Sequence, residues 1–69
     1  MQIPNFKSTE DAMRFGKTAN ERQINLMANL RKYGIDKADK LMKLGDLDTA
    51  VIWATKAQFY REAIEAKEI

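Results

Sequence analysis

The chain contains no cysteine and no histidine among its 69 residues. Without cysteine, neither a disulfide nor a cysteine-ligated zinc ion can stabilise it, although small domains often depend on such cross-links. Without histidine, it lacks the most frequent general base and metal ligand. A small helical chain also offers little concave surface for an active site. We therefore predict that the protein is not an enzyme and that it holds no cofactor and no metal ion.

The sequence also lacks a long apolar run and a recognisable targeting segment. The first residues, MQIPNFK, do not combine a positively charged start with an apolar core. No apolar run approaches the roughly 20 residues that span a bilayer. Acidic residues near the C-terminal end would also repel anionic lipid. These observations predict a cytoplasmic protein without membrane contact.

The composition is that of one small folded domain. Hydrophobic residues make up 45% of the chain and charged residues 32%, whereas a disordered segment would contain fewer apolar residues. We predict an extended N-terminal arm over residues 1–7 and a single helical domain over 8–69. A chain of this length buries little surface and is marginally stable alone. A protein partner or a homo-oligomer is therefore expected.

The net charge of +2 is unevenly distributed. Residues 31–45 carry about +3 and residues 46–69 about −2 when Lys and Arg are counted against Asp and Glu. This asymmetry suits antiparallel packing of the end of one copy against the middle of another. Two separately solvated faces would explain it equally well.

Capping signals divide the N-terminal third of the chain into two helices. A hydroxyl of Ser8 or Thr9 can cap a first helix over about 9–16, and the acidic residues that follow suit the positive end of the helix dipole. Gly16 and the segment TANE at 18–21, which fits the S/T-x-x-E capping box, predict a second helix from about residue 19. Apolar residues then recur every three or four positions and predict a core-facing stripe: Leu26, Met27, Leu30 and Tyr33.

Glycines mark the two remaining joints. Gly34 can end a helix, yet the apolar stripe continues past it, so we favour one long helix over about 19–44 with Gly34 on its packed side. A break there would give a four-helix domain instead. Gly45 and Asp46 form a clearer stop and restart, which places the last helix at about 46–67. The predicted fold is all-α, an antiparallel helical hairpin with a short N-terminal helix in a three- or four-helix bundle.

The last helix has two apolar stripes where one would be expected. At about 100° per residue, the first stripe contains Ala50, Trp53, Ala57, Tyr60 and Ile64. The second stripe lies roughly a third of a turn away and contains Ile52, Phe59, Ala63 and Ala66. A two-helix hairpin covers only one stripe. The second stripe therefore packs against the first helix and the arm, or against another chain.

The last helix, together with the turn before it, resembles the second helix of a tetratricopeptide repeat. The resemblance rests on LGDL at 44–47 followed by Ala50, Ala54 and Ala57, and covers about a third of the chain. Ala54 stands where the family usually has an aromatic residue, and the first-helix pattern is missing from residues 30–44. A single repeat cannot bury its own faces. We therefore interpret the resemblance as general to helical hairpins and transfer no binding residues from it.

The two stripes favour a protein–protein interaction or assembly module. Such a module would self-associate or dock on a larger protein through the last helix. Because interfaces are enriched in aromatic residues and arginine, the predicted contact residues are Trp53, Phe59, Tyr60, Ile64 and Ile52, with Arg61 at the polar rim.

A small nucleic-acid-associated protein is the alternative function. Its phosphate contacts would be the basic residues of the second helix: Arg31, Lys32, Lys37, Lys40 and Lys43. Asp36 and Asp39 lie four residues before Lys40 and Lys43, which favours ion pairs within the helix. The only aromatic residue nearby is Tyr33, which its spacing assigns to the core stripe. A solvated basic face competes with this alternative.

Overall fold

A computed structural model describes residues 3–68 as three helices. They are α1 (Thr9–Thr18), α2 (Glu21–Lys43) and α3 (Leu47–Glu68). Helices α2 and α3 pack together as an antiparallel hairpin, and α1 packs chiefly against α3. The all-α hairpin with a short N-terminal helix is thus confirmed, with helix bounds within two residues of those predicted. Residues 1, 2 and 69, which belong to the predicted arm and domain, lie outside the described part of the chain.

The predicted caps of α1 and α3 are confirmed. The Oγ of Ser8 accepts a hydrogen bond from the backbone N–H of Asp11 at 3.2 Å. Gly45 adopts a φ of 86°, in the left-handed region that only glycine enters easily. Asp46 Oδ1 accepts a hydrogen bond from the N–H of Thr49 at 3.3 Å. A left-handed glycine and an Asp cap therefore make the tight turn that folds α3 back along α2.

The start of α2 differs from the predicted one. Asn20, and not Thr18, is the N-cap: its side chain accepts a hydrogen bond from the N–H of Gln23 at 2.9 Å, and the Gln23 side chain accepts one from the N–H of Asn20 at 2.9 Å. Ala19 is extended and buried between the two helices. Thr18 is the last residue of α1, and the buried Ala19 separates it from the next helix. The capping box of α2 therefore begins at Asn20, two residues later than predicted.

Gly16 lies inside α1, so the predicted end of the helix at this residue is wrong. A Cβ placed on Gly16 would overlap the backbone carbonyl of Ala63 and lie 2.7 Å from the Ala63 Cα. The sequence shows a residue that weakens helices, whereas its role in the structure is to let the backbones of α1 and α3 touch. Close backbone contact, and not helix termination, explains this glycine.

Helix α2 continues without a break through Gly34. This glycine is buried against α3, where a Cβ would lie 3.3 Å from the carbonyl oxygen of Trp53 and 3.4 Å from the Ala57 Cβ. The predicted single long helix is confirmed, and with it the packed position of Gly34. The small residue permits the close approach of the two hairpin helices.

The core consists almost entirely of small side chains. Met27 is the only large side chain of the described chain that is fully buried. It packs in a cluster with Ala12, Ala19 and Ala63. Half-buried apolar residues surround this cluster: Ile3, Phe6, Phe15, Ile24, Phe59, Tyr60 and Ile64. The close-packed alanines bring the three helices together at the end of the hairpin away from the turn.

Candidate interaction surface

Helix α1 covers only part of the second stripe of α3. Ala63 and Ala66 are buried, whereas Ile52 is 55% exposed. Ten residues of helix extend for about 15 Å, and α1 lies beside the C-terminal half of α3, where Gly16 contacts Ala63. The stripe therefore divides into a covered C-terminal part and an open N-terminal part.

Three of the predicted contact residues pack within the chain. Phe59, Tyr60 and Ile64 are half-buried against the cluster around Met27. Phe6 of the N-terminal segment lies over them, with its ring centroid 6.2 Å from that of Tyr60 in an edge-on arrangement. These side chains therefore contribute to intramolecular packing and expose only part of their surface.

Trp53 packs against one side chain of α2 and one of α3 near the surface. Its ring meets Tyr33 edge-on at a centroid distance of 5.4 Å, and Lys56 Nζ lies 5.0 Å from the Trp53 ring centroid. Tyr33 is 54% exposed, so the prediction that it belongs to the core is wrong. The ring lies at the edge of the contact between α2 and α3, where Trp53 packs against one side of it, and α1 does not reach this far along the hairpin. Trp53 and Tyr33 shield each other at the surface.

Tyr60 provides a prediction about alkaline stability. Burial raises the pKa of Tyr60 above its ordinary value, because the phenolate loses hydration. The folded state keeps a proton that the unfolded state releases above about pH 10, so the free energy of unfolding should fall as the pH rises through and beyond 10. Tyr60→Phe removes this titration. In urea unfolding at about pH 9 and pH 11, the wild type should lose more stability than the variant, and equal losses would contradict the assignment.

An open groove runs between α2 and α3 on a flank to which α1 contributes no residue. It has a volume of about 430 Å³. Its apolar lining combines small and large side chains: Ile35, Ala38, Met42, Ala54 and Ala57. Its polar lining contains Arg31, Asp39, Gln58 and Arg61. The Arg61 Nε donates a hydrogen bond to Glu65 Oε1 at 2.8 Å, and this bond raises the pKa of the guanidinium. Arg61 is thus exposed at one end of the groove, consistent with a position at a polar rim.

The exposed large apolar side chains concentrate at the turn end of the hairpin. Within residues 3–68, the large hydrophobic residues that are exposed all lie between positions 33 and 52. They are Tyr33, Ile35, Met42, Leu44, Leu47, Val51 and Ile52. We call this region, residues 33–52, the open end of the hairpin. Of these residues, only Ile52 was among the contact residues predicted from the sequence. The seven-residue spacing of Ile35 and Met42 places both side chains on the same face of α2, and this pattern in the sequence could have indicated the groove.

The predicted basic residues do not form one line along α2. Arg31 lines the groove, whereas Lys37 lies about 120° further around the helix and faces another direction. Lys43 Nζ pairs with Asp39 Oδ2 at 3.1 Å, as the four-residue spacing predicted. Lys32 and Lys40 are exposed on the outer side. The positive charge is thus spread around the helix.

Comparisons with protein-family models, curated protein sequences and solved structures find no match for this chain. The geometry of its own residues therefore carries the functional argument. Within residues 3–68, no polar or charged side chain is buried, and no group of three or more acidic side chains is placed to hold a metal ion. None of the helices in this range is long and apolar enough to cross a membrane.

Proposed function

We propose that this chain is a small cytoplasmic, non-enzymatic interaction module that self-associates through the groove side of the open end of its hairpin. The observation that carries the proposal is the restriction of exposed large apolar side chains to residues 33–52. Removing apolar surface from water contributes about 25 cal/mol per Å². Contiguous exposed apolar surface on a small protein is typical of an interaction site.

Both hairpin helices contribute to this surface. Ile35 and Met42 come from α2, and Leu47 and Val51 come from α3, whereas Ile52 of α3 lies on the other flank. The last helix therefore keeps the role that its two stripes suggested, but its contribution moves from the half-buried aromatic residues to the part nearest the turn. The covered half of the hairpin supplies folding stability, and the open half supplies the interface.

Size supports a second copy as the partner. A core of alanines and one methionine buries little apolar surface, so association would add burial that the single chain cannot provide. A homodimer also supplies its partner at the same concentration and location. Closed twofold dimers are the commonest oligomers of soluble proteins.

Molar mass by light scattering over a wide range of protein concentration tests the proposal. We expect a dimer whose mass is unchanged at high salt, because an apolar interface is not screened by ions. A monomer at every concentration would contradict self-association. The double variant Ile35→Asp, Met42→Asp should be monomeric. Because both replaced side chains are about half exposed, the variant should keep the helical content and the urea midpoint that the wild type shows at concentrations where the wild type is also monomeric.

Ile52→Asp is the matched control, because Ile52 is as exposed as Ile35 but lies on the other flank of the hairpin. This variant should retain the dimer. If Ile52→Asp alone abolishes association, the second stripe of α3 and not the groove forms the interface.

The nucleic-acid alternative receives less support from the positions of the basic residues. Their dispersal around α2 provides no continuous track for phosphates, and Lys43 already pairs with Asp39. An assembly that survives high salt, with no salt-dependent binding of the chain to DNA or RNA, would agree with the interaction module.

A further inference from the structure

The face of α2 that lines the groove is self-complementary about Ile35, and from this we infer how two copies meet. We propose that α2 packs antiparallel against α2 of a second copy, with the twofold axis at Ile35. This inference rests on the self-association proposed above. It adds the contacting helix, its direction and the residues that pair.

With a twofold axis at Ile35, a residue that lies a given number of positions before Ile35 in one copy faces the residue that lies the same number of positions after Ile35 in the other copy. Ala28 and Met42 both lie seven residues from Ile35, so two helical turns separate each of them from the axis. The twofold operation therefore places the small Ala28 of each copy against the large Met42 of the other copy. It places Ile35 of one copy against Ile35 of the other. Ala28 and Ile35 also line a common shallow depression along α2. Large side chains thus meet small ones.

The charges on the same face show the same symmetry. Arg31 and Asp39 each lie four residues from Ile35, about 6 Å along the helix axis in opposite directions. The twofold operation therefore sets Arg31 of each copy opposite Asp39 of the other. Within residues 3–68, Arg31 makes no ion pair, and Asp39 pairs only with the exposed Lys43. Exchanging that weak surface pair for an intermolecular one costs little.

This arrangement also accounts for the groove. Because α3 lies beside the contacting face of α2, antiparallel packing of two α2 helices brings the grooves of both copies together. The result is a bundle in which α2 and α3 of each copy contribute to a shared apolar layer. Ile35 and Met42 would be buried in that layer together with Ala54 of α3.

Cysteine cross-linking tests the position of the twofold axis. Since the natural chain has no cysteine, a single introduced thiol can form a disulfide only with the same thiol of a second copy. Ile35→Cys should form a covalent dimer under mild oxidation, because thiols at the axis lie within disulfide distance. The control Ile52→Cys should remain monomeric under denaturing conditions. Cross-linking of Ile52→Cys without Ile35→Cys would overturn the inference.

Direction is tested by mixing Ala28→Cys with Met42→Cys. In an antiparallel pair, each variant alone should cross-link weakly, whereas the mixture should yield the mixed disulfide. Efficient cross-linking of Ala28→Cys to itself would indicate parallel helices and would overturn the antiparallel arrangement.

Charge exchange provides an independent test. In Arg31→Glu, the new carboxylate faces Asp39 of the other copy, and in Asp39→Arg the new guanidinium faces Arg31 of the other copy. Each variant should therefore raise the dimer dissociation constant by about tenfold or more through like-charge repulsion. An equimolar mixture should restore dimers, because Glu at 31 then faces Arg at 39 while the natural pair remains. The double variant Arg31→Glu, Asp39→Arg should also dimerise. Absence of recovery in both cases would contradict the pairing.

The outcomes separate this inference from the proposed function. A wild-type chain that is monomeric at every concentration would reject self-association and the inference together. A stable wild-type dimer that responds neither to charge exchange nor to cross-linking at Ile35 would reject only the α2 geometry. Unfolding midpoints of the monomeric variants show whether any loss of association reflects misfolding.

Discussion

Gly16→Ala is expected to lower the free energy of unfolding by about 2–3 kcal/mol, as overpacking of a tight core does. The added Cβ would overlap the backbone carbonyl of Ala63, so α1 must move away from α3. Backbone cannot rotate aside as a flexible side chain can. An ordinary glycine in a helix would show the opposite sign, because alanine is about 1 kcal/mol more favourable there.

Urea unfolding followed by circular dichroism, at one fixed protein concentration, measures this effect. Gly34→Ala is the matched control, since its Cβ would lie 3.3 Å from the nearest atom and requires only a small adjustment. We expect its loss to be smaller than that of Gly16→Ala. Equal or greater stability of Gly16→Ala would show that α1 does not contact α3 as closely as described.

Met27→Ala is expected to cost about 2–4 kcal/mol, because it removes a fully buried side chain and leaves a cavity. Met27 lies where all three helices meet, in contact with the cluster that contains Ala12, Ala19 and Ala63. Alanine neighbours have no side-chain length with which to fill the space. For a chain of this size, such a loss is a large part of the total stability.

Met42→Ala provides the comparison for Met27→Ala, because the residue type and the change are the same but Met42 is 59% exposed. Stability of the monomer should change by less than about 0.5 kcal/mol, as for most surface substitutions. Association should weaken instead, since Met42 belongs to the proposed interface. Equal effects of the two substitutions on monomer unfolding would contradict the division between a covered core and an open end.

These results would describe a hairpin with unequal halves. Near the ends of the chain, α1 and Phe6 cover the hairpin and small residues allow close helix packing. Near the turn, Ile35, Met42, Leu47 and Val51 of α2 and α3 keep about half or more of their surface exposed. A short first helix thus leaves one half of an otherwise complete bundle available to a partner.

Some features could be predicted from the sequence because they depend on local interactions. Ser8 and Asp46 cap helices through hydrogen bonds to residues three positions away, and Gly45 ends a helix through its own backbone freedom. The all-α class and the hairpin follow from these signals together with helical spacing. The double stripe of α3 also indicated correctly that one neighbouring helix could not cover it.

Other features depended on how far α1 extends along α3, which no local pattern specifies. The same apolar stripe contains the covered Ala63 and the exposed Ile52. Gly16 was predicted to end α1, but the helix continues through it, and its position against Ala63 gives it a packing role. The three helices, the caps at Ser8 and Asp46 and the turn at Gly45 could be predicted from the sequence, because these features depend on neighbours within a few residues. Which apolar side chains are buried and which form the open end could be read from the fold alone, because burial depends on contacts between helices that are distant in the chain.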